Sequence, residues 1–351
     1  MSKIFLHIGI NKTGTSAIQS FFNHYREPLQ AQGLLYPRTG WDNTANSHYA
    51  LSQALGFKFG RCKSAASSTE LQGLRRSLDE EIIQSSAKAI LFSSEMFVLP
   101  GDVRQVRDFL APDNVFILVY LRRHDTWFQA LYSQALKPIS RQPNPGPPHW
   151  KRAGIEAYIR FQRKHMVGQG YYRHLLDRWA TVFGRENIIV RPYESQQNAP
   201  DIVVDLLRSV ALKMGVDIAQ LPYLMDIRSV RRNISLTPRA LQLAEVFRRA
   251  KLAPEIRERL MQHVLSFPAT ELRQSLLSPA RRLELIEQNA ADYEYIAREY
   301  MGREDGRLFY DPLPDPNEPW EPPKPLTPRE IVEETVAALT ASGIKTPDIV
   351  A

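Results

Sequence analysis

Cysteine is almost absent: Cys62 is the only one in 351 residues. No intrachain disulfide and no cysteine-based metal site can form, which suits a reducing compartment. Long apolar runs are missing as well. No stretch reaches the roughly 20 residues needed to cross a bilayer. The N-terminus lacks a basic segment followed by an apolar one, so neither a transmembrane segment nor a secretory leader is expected. A cytoplasmic location is the default on these grounds. Dense basic tracts interleaved with aromatics are also lacking, which argues against nucleic acid as a partner. Acidic residues number 38 against 45 Lys and Arg, for a formal net charge of +7. That excess suits an anionic ligand, and equally a basic protein with no special partner.

What remains is ordinary for a globular protein: 43% hydrophobic and 24% charged residues, in a chain long enough to bury a full core. Its most informative stretch is Ile4-Phe-Leu-His-Ile-Gly-Ile-Asn-Lys-Thr-Gly-Thr-Ser16. An apolar run of strand length breaks at Gly9 and passes through a loop of small and hydroxyl residues. A helix-period pattern then follows (Ala17 with Phe21, Ile18 with Phe22). A strand–loop–helix of this kind turns backbone N–H groups toward one point at a helix N-terminus, where phosphate or sulfate oxyanions bind. Gly9, Gly14 and Ser16 keep the spacing of the nucleotide-hydrolase loop G-x-x-x-x-G-K-[ST]. Thr15, however, stands where the lysine belongs, and the cation has moved to Lys12. The bland alternative is a glycine-containing turn with an exposed lysine.

Further along, Ala89-Ile-Leu-Phe-Ser-Ser-Glu95 reads as a strand ending on hydroxyls and a carboxylate. Asn114–Arg122 reads as a strand buried on both faces, with a helix from Asp125 to Lys137. Helical periodicity covers 68–86 and about 154–182, followed by a strand at Asn187–Tyr193 and a helix from about Ile202. Residues 138–150 carry five prolines and are expected as a loop. Residues 238–300 read as wholly helical with breaks at Pro254, Pro268 and Pro279. After Tyr310 the chain is Pro-rich, then shows a helix start with Thr327 as N-cap, Pro328 at N1 and Glu330 at N3. The alternation of strands and helices predicts an α/β three-layer sandwich with a mostly parallel sheet. Ligands then belong beyond the carboxyl ends of the strands. Lys12, Glu95, Arg122 and Tyr193 all fall at such ends. The expected division is one domain over 1–311, with a helical C-terminal part, and a tail over 312–351 that can serve homo-oligomer assembly.

Taken together, the chain resembles the sulfotransferases that use 3′-phosphoadenosine 5′-phosphosulfate, particularly bacterial carbohydrate-type members. The resemblance is carried by His7-Ile-Gly-Ile-Asn-Lys-Thr-Gly-Thr-Ser-Ala-Ile-Gln19, Leu91-Phe-Ser-Ser-Glu95 and Val119-Tyr-Leu-Arg-Arg-His-Asp-Thr-Trp127. Phe183–Glu194 and Asn233-Ile-Ser-Leu-Thr-Pro238 add to it. It implies a P-loop-like sulfotransferase fold, the phosphosulfate nucleotide as co-substrate, no metal, and a carbohydrate or glycolipid acceptor. By match, the backbone of Thr13, Gly14, Thr15 and Ser16 cradles the 5′-phosphate, and Lys12 neutralises the leaving oxygen. Arg122 matches the family's grip on the 3′-phosphate. The family's partner serine is replaced here by Ala130, a loss that either Ser133 or Arg123 makes good or that leaves the grip on the 3′-phosphate weaker. Tyr193, Asn233 and Ser235 fall where the family meets the nucleotide.

The acceptor must lose a proton as it attacks sulfur, so a general base is required. Glu95 is the first candidate; the alternative is a structural carboxylate bonded to Ser93 or Ser94. His48, flanked by Trp41 and Tyr49, is the second, because imidazole titrates near neutrality. His7, inside the first strand, reads as a packed core residue. Two other functional classes stay open at this level. One is a nucleotide or small-molecule kinase with an atypical phosphate loop. The other is a catalytically silent nucleotide- or glycan-binding protein.

Overall fold

The computed structural model describes residues 2–57, 65–111, 114–136, 154–165, 170–214, 236–250, 252–267 and 275–341. The chain begins with β1 (Lys3–His7), α1 (Thr15–His24), α2 (Arg26–Ala31), β2 (Leu34–Leu35), α3 (Tyr49–Ala54), α4 (Ser68–Ser85) and β3 (Ala89–Ser93). It continues with α5 (Val103–Leu110), β4 (Asn114–Leu121), α6 (His124–Leu136), α7 (Gly154–His165), α8 (Tyr172–Phe183) and β5 (Ile188–Pro192). The remaining described elements are α9 (Ile202–Met214), α10 (Pro238–Arg249), α11 (Pro254–Leu265), α12 (Pro279–Glu287), α13 (Ala290–Met301) and α14 (Pro328–Ala341). None of the described helices is long and apolar enough to cross a membrane. Cys62, the Pro-rich 138–150 loop, Asn233 and Ser235 lie outside the described residues.

The five strands form one sheet in the order β2-β3-β1-β4-β5, with every neighbouring pair parallel. The α/β reading of the sequence holds. Parallel strands need crossovers, which place helices on both faces and bury the strands twice over. Ile4, Phe5 and Leu6 of β1 are accordingly sealed from solvent, as are Ile117 to Leu121 of β4. On one face Phe5, Leu118 and Tyr120 pack against Ile18, Phe21 and Phe22 of α1 and Val203, Leu206 and Leu207 of α9. α8 packs against β4 and β5 with Tyr172, Leu175, Leu176, Trp179 and Phe183, at the three- and four-residue spacing of one helix face. Each of these large side chains contributes roughly 1.5–3 kcal/mol of burial.

The register decides where the loops emerge. His7 is level with Ser93 of β3 and Leu118 of β4, and Leu121 is level with Pro192 of β5. All strands run the same way, so the segments after them leave from one edge of the sheet. From central β1 the chain fills one side of the sheet (β2 at the edge, then β3) and then the other (β4, then β5), so the connections after β1 and β4 leave in opposite directions, the arrangement at which open parallel sheets receive ligands.

Two compact units divide the chain. The first holds the sheet and comprises Met1–Arg123, Met166–Arg232 and Gln288–Pro312. The second comprises His124–His165, Asn233–Glu287 and Leu313–Ala351, and its described elements are all helices. This cut differs from the 1–311 and 312–351 division expected from the sequence: the helix after the Pro-rich stretch shares a unit with α10 and α11. Arg239 of α10 donates to Glu330 (2.7 Å), and His263 of α11 meets Glu334 (2.9 Å). The start signal of α14 reads correctly. Glu330 N–H donates to Thr327 Oγ1 (3.2 Å), and the Glu330 carboxylate accepts from Thr327 N–H (2.8 Å). In the same unit Asp125, fully buried, is held by the Arg282 guanidinium at 2.9 and 3.1 Å.

Candidate active site

The loop after β1 is built on two glycines and two inward-facing threonines. Thr13 and Thr15 both donate to the Ile10 carbonyl, at 2.6 and 3.4 Å, and are buried. Their hydroxyls therefore tie the loop to itself, and only their backbone is left to face a ligand. Gly9 is required by close approach, since a Cβ there would stand 2.6 Å from Thr15 Oγ1. Gly14 is required twice over. It has a φ of +79°, and a Cβ would stand 2.6 Å from Ile202 of α9 and 3.1 Å from the Tyr193 ring. Gly14 is also the N-cap of α1 and offers no side chain, so no side-chain acceptor takes up the first-turn N–H groups. Ser16 is exposed in that first turn.

Lys12 sits in the left-handed region with a φ of 70°, a conformation non-glycine residues adopt at a cost of about 1–3 kcal/mol. Its carbonyl is held from the next strand: Arg122, directly after β4, donates to Lys12 O at 3.0 Å. Arg122 is fixed in turn. Its guanidinium lies 5.4 Å from the Tyr193 ring centre, and its carbonyl accepts from Tyr172 O–H at 2.6 Å. Tyr193 follows β5 directly, and its N–H donates to Leu121 O at 2.6 Å. Loop, arginine and tyrosine thus lock together at the ends of three adjacent strands.

Glu95 enters from the fourth. β3 ends at Ser93, and Ser94 caps a short 3-10 turn, Glu95–Val98, by accepting from Met96 N–H at 3.3 Å. The Glu95 carboxylate is bonded to neither serine. It accepts from Gln19 Nε2 of α1 at 3.1 Å. Burial pushes its pKa up, while the Gln19 amide and the Lys12 charge pull it down.

His48 is a correction. Its ring is fully buried, Nδ1 accepts from Ser93 N–H at 3.1 Å, and Nε2 donates to Pro37 O at 3.0 Å. Burial lowers its pKa to about 3. Both nitrogens are occupied by backbone, so none is left to take an acceptor's proton. Its work is to pin the 37–48 loop to the end of β3. Arg123 also differs from expectation: it is buried and donates to the carbonyls of Asp311 (2.9 Å) and Pro312 (3.0 Å). Ser133 lies half-buried on α6, in the helical unit.

No protein-family model matches the chain. It is 23% identical over 219 residues to an uncharacterized protein of Archaeoglobus fulgidus, a match covering 61% of this chain. The match spans about half the length of that relative, 54%. Among solved structures, the chain is matched to a sulfotransferase from Alicyclobacillus acidocaldarius. It has a TM-score of 0.41 and 19% identity, over 70% of this chain and 89% of that one.

Three residues that matter to this geometry are given no role of their own in the sequence reading. Gln19 is a polar residue on the buried face of an amphipathic helix, a signal visible in the pattern Ile18, Gln19, Phe22. Tyr172 and Ile202 are indistinguishable from core residues until the fold sets them against Arg122 and Gly14.

Proposed function

We propose that the protein transfers a sulfuryl group from 3′-phosphoadenosine 5′-phosphosulfate to a hydroxyl of a carbohydrate or glycolipid acceptor. The observation that supports this reading is that Arg122 is bonded to the backbone of Lys12 in the loop leading to an uncapped helix N-terminus, and that the same helix holds Glu95 through Gln19. One cationic residue lies in the loop, a second is bonded to its backbone, and a carboxylate is held from the helix that follows it. A Walker-type lysine directly after the second glycine is replaced by Thr15, and the cation sits earlier in the loop, where a leaving phosphate oxygen would develop charge.

In this reading the N–H groups of Thr13 to Ser16 bind the 5′-phosphate, and Arg122 meets the 3′-phosphate. Asn233 and Ser235 would add to that grip, and Ser133 would stand in for the serine lost at Ala130. The acceptor oxygen attacks sulfur in line and forms the new O–S bond as the bond from sulfur to the bridging phosphate oxygen breaks. The acceptor's proton passes to the Glu95 carboxylate, and the electron pair of the broken bond stays on the phosphate, stabilised by Lys12. Transfer through such a loose transition state asks mainly for positioning and charge stabilisation.

Calorimetry with adenosine 3′,5′-bisphosphate against ATP plus Mg²⁺ tests the donor, with tight binding expected only for the bisphosphate. Labelled donor and a glycan panel then test transfer. Lys12→Ala is expected to lower transfer about 10²–10³-fold, the scale of losing one charge-stabilising group. Retention of near-full activity would sink the mechanism.

A further inference from the structure

We propose that Gln19 is the positioning residue that holds the Glu95 carboxylate ready to take the acceptor's proton. The proposal rests on reading Glu95 as the base. Gln19 is buried on α1, one turn into the helix that starts at the anion loop. Its amide nitrogen has two protons and meets two acceptors, Glu95 Oε2 at 3.1 Å and Ser93 Oγ at 3.2 Å. Ser93 Oγ is paired in turn with His7 Nδ1 at 2.8 Å, and Ser93 N–H with His48 Nδ1 at 3.1 Å. An amide anchored on one side by a rigid strand end has little freedom on the other.

One oxygen of the carboxylate is therefore fixed by a donor that α1 and β3 hold jointly. The helix that offers its N-terminus to the donor phosphate also orients the base for the acceptor. The other groups acting on Glu95 are different in kind. Lys12 supplies charge from a loop, and Tyr36 is a phenol whose ionisation Glu95 opposes. The His7 ring beneath the network is fully buried and held neutral, with a pKa lowered to about 3. It therefore anchors Ser93 without adding a charge.

The experiment uses the full chain with Gln19→Met, which keeps length and volume and removes the donor, and Ser93→Ala, which removes the far anchor only. Glu95 is followed by ¹³C NMR of its carboxyl, assigned with Glu95→Gln, and transfer kinetics are measured in parallel. Gln19→Met should move the Glu95 titration to higher pH. It should lower kcat about tenfold, the size of one hydrogen bond to a charged group, with the donor KM and adenosine 3′,5′-bisphosphate affinity unchanged. Ser93→Ala should move the titration the same way by less. A folded Gln19→Met whose Glu95 titration does not move overturns the proposal, as does one that loses bisphosphate affinity in step with kcat. If the wild type transfers no sulfuryl group, the function fails on that arm, while the titration still decides the role of Gln19.

Discussion

Replacing His48 by Gln separates a strut from a base. The imidazole bridges Ser93 N–H and Pro37 O, and a glutamine amide offers an acceptor and a donor at about the same separation. The buried ring has a pKa of about 3 against 6.5 for a free histidine. A group whose folded pKa is depressed gives its full stability above the unfolded value and loses it as pH falls. At pH 5 the loss is (6.5 − 5) × 1.36, about 2 kcal/mol, because the unfolded chain takes up a proton that the folded chain refuses. Urea unfolding at pH 8, 6.5, 5 and 4 measures this, with the m-value as a check on cooperativity. The wild type should lose about 2 kcal/mol more than His48→Gln between pH 8 and 5. Transfer activity of the variant should stay within a few-fold of wild type, whereas loss of a general base costs about 10²–10⁴-fold. Identical pH slopes, or a folded variant with transfer down a hundredfold, would refute the reasoning.

Other expectations follow from the same packing. Glu95→Gln should abolish transfer yet raise the urea midpoint at pH 7. Burial raises the Glu95 pKa, so its favourable contribution is present at low pH and lost as pH rises through the folded value; the gain should vanish at pH 4. Gly14→Ala should lower stability by about 1–3 kcal/mol by thermal melting, from the left-handed φ and the contact with Ile202 together. Tyr36→Phe should leave the melting temperature unchanged or raised. Its hydroxyl is buried with no partner, and such an orphan costs about 1–3 kcal/mol; a clear drop would reveal a hidden partner.

Much of the frame was legible because its signals are local. The apolar run 114–121 and the break at Gly9 follow from side-chain burial and backbone freedom. The start of α14 follows from a capping box that needs four residues and no tertiary contact. The end of the sheet that carries Lys12, Glu95, Arg122 and Tyr193 was also readable, since alternating strands and helices force parallel pairing, and parallel strands present their carboxyl ends together. The helical stretch read across 154–182 is two helices in different units, because periodicity reports a helix and not what it packs against.

By itself, then, the sequence determined that a glycine-broken loop with a displaced lysine follows the first strand of a parallel sheet whose strand ends carry charge. Tertiary structure alone decided what each charged or polar group is free to do. A histidine in a polar loop looks like a base until burial and two backbone partners remove both its nitrogens, and Arg123 looks available until two carbonyls take its guanidinium. A glutamine inside a helix looks incidental until the crossover from β1 sets it against Ser93 and Glu95, residues more than 70 positions away. Residue type and spacing set which chemistry is possible; desolvation and hydrogen-bond satisfaction, which depend on distant chain, decide which groups remain able to perform it.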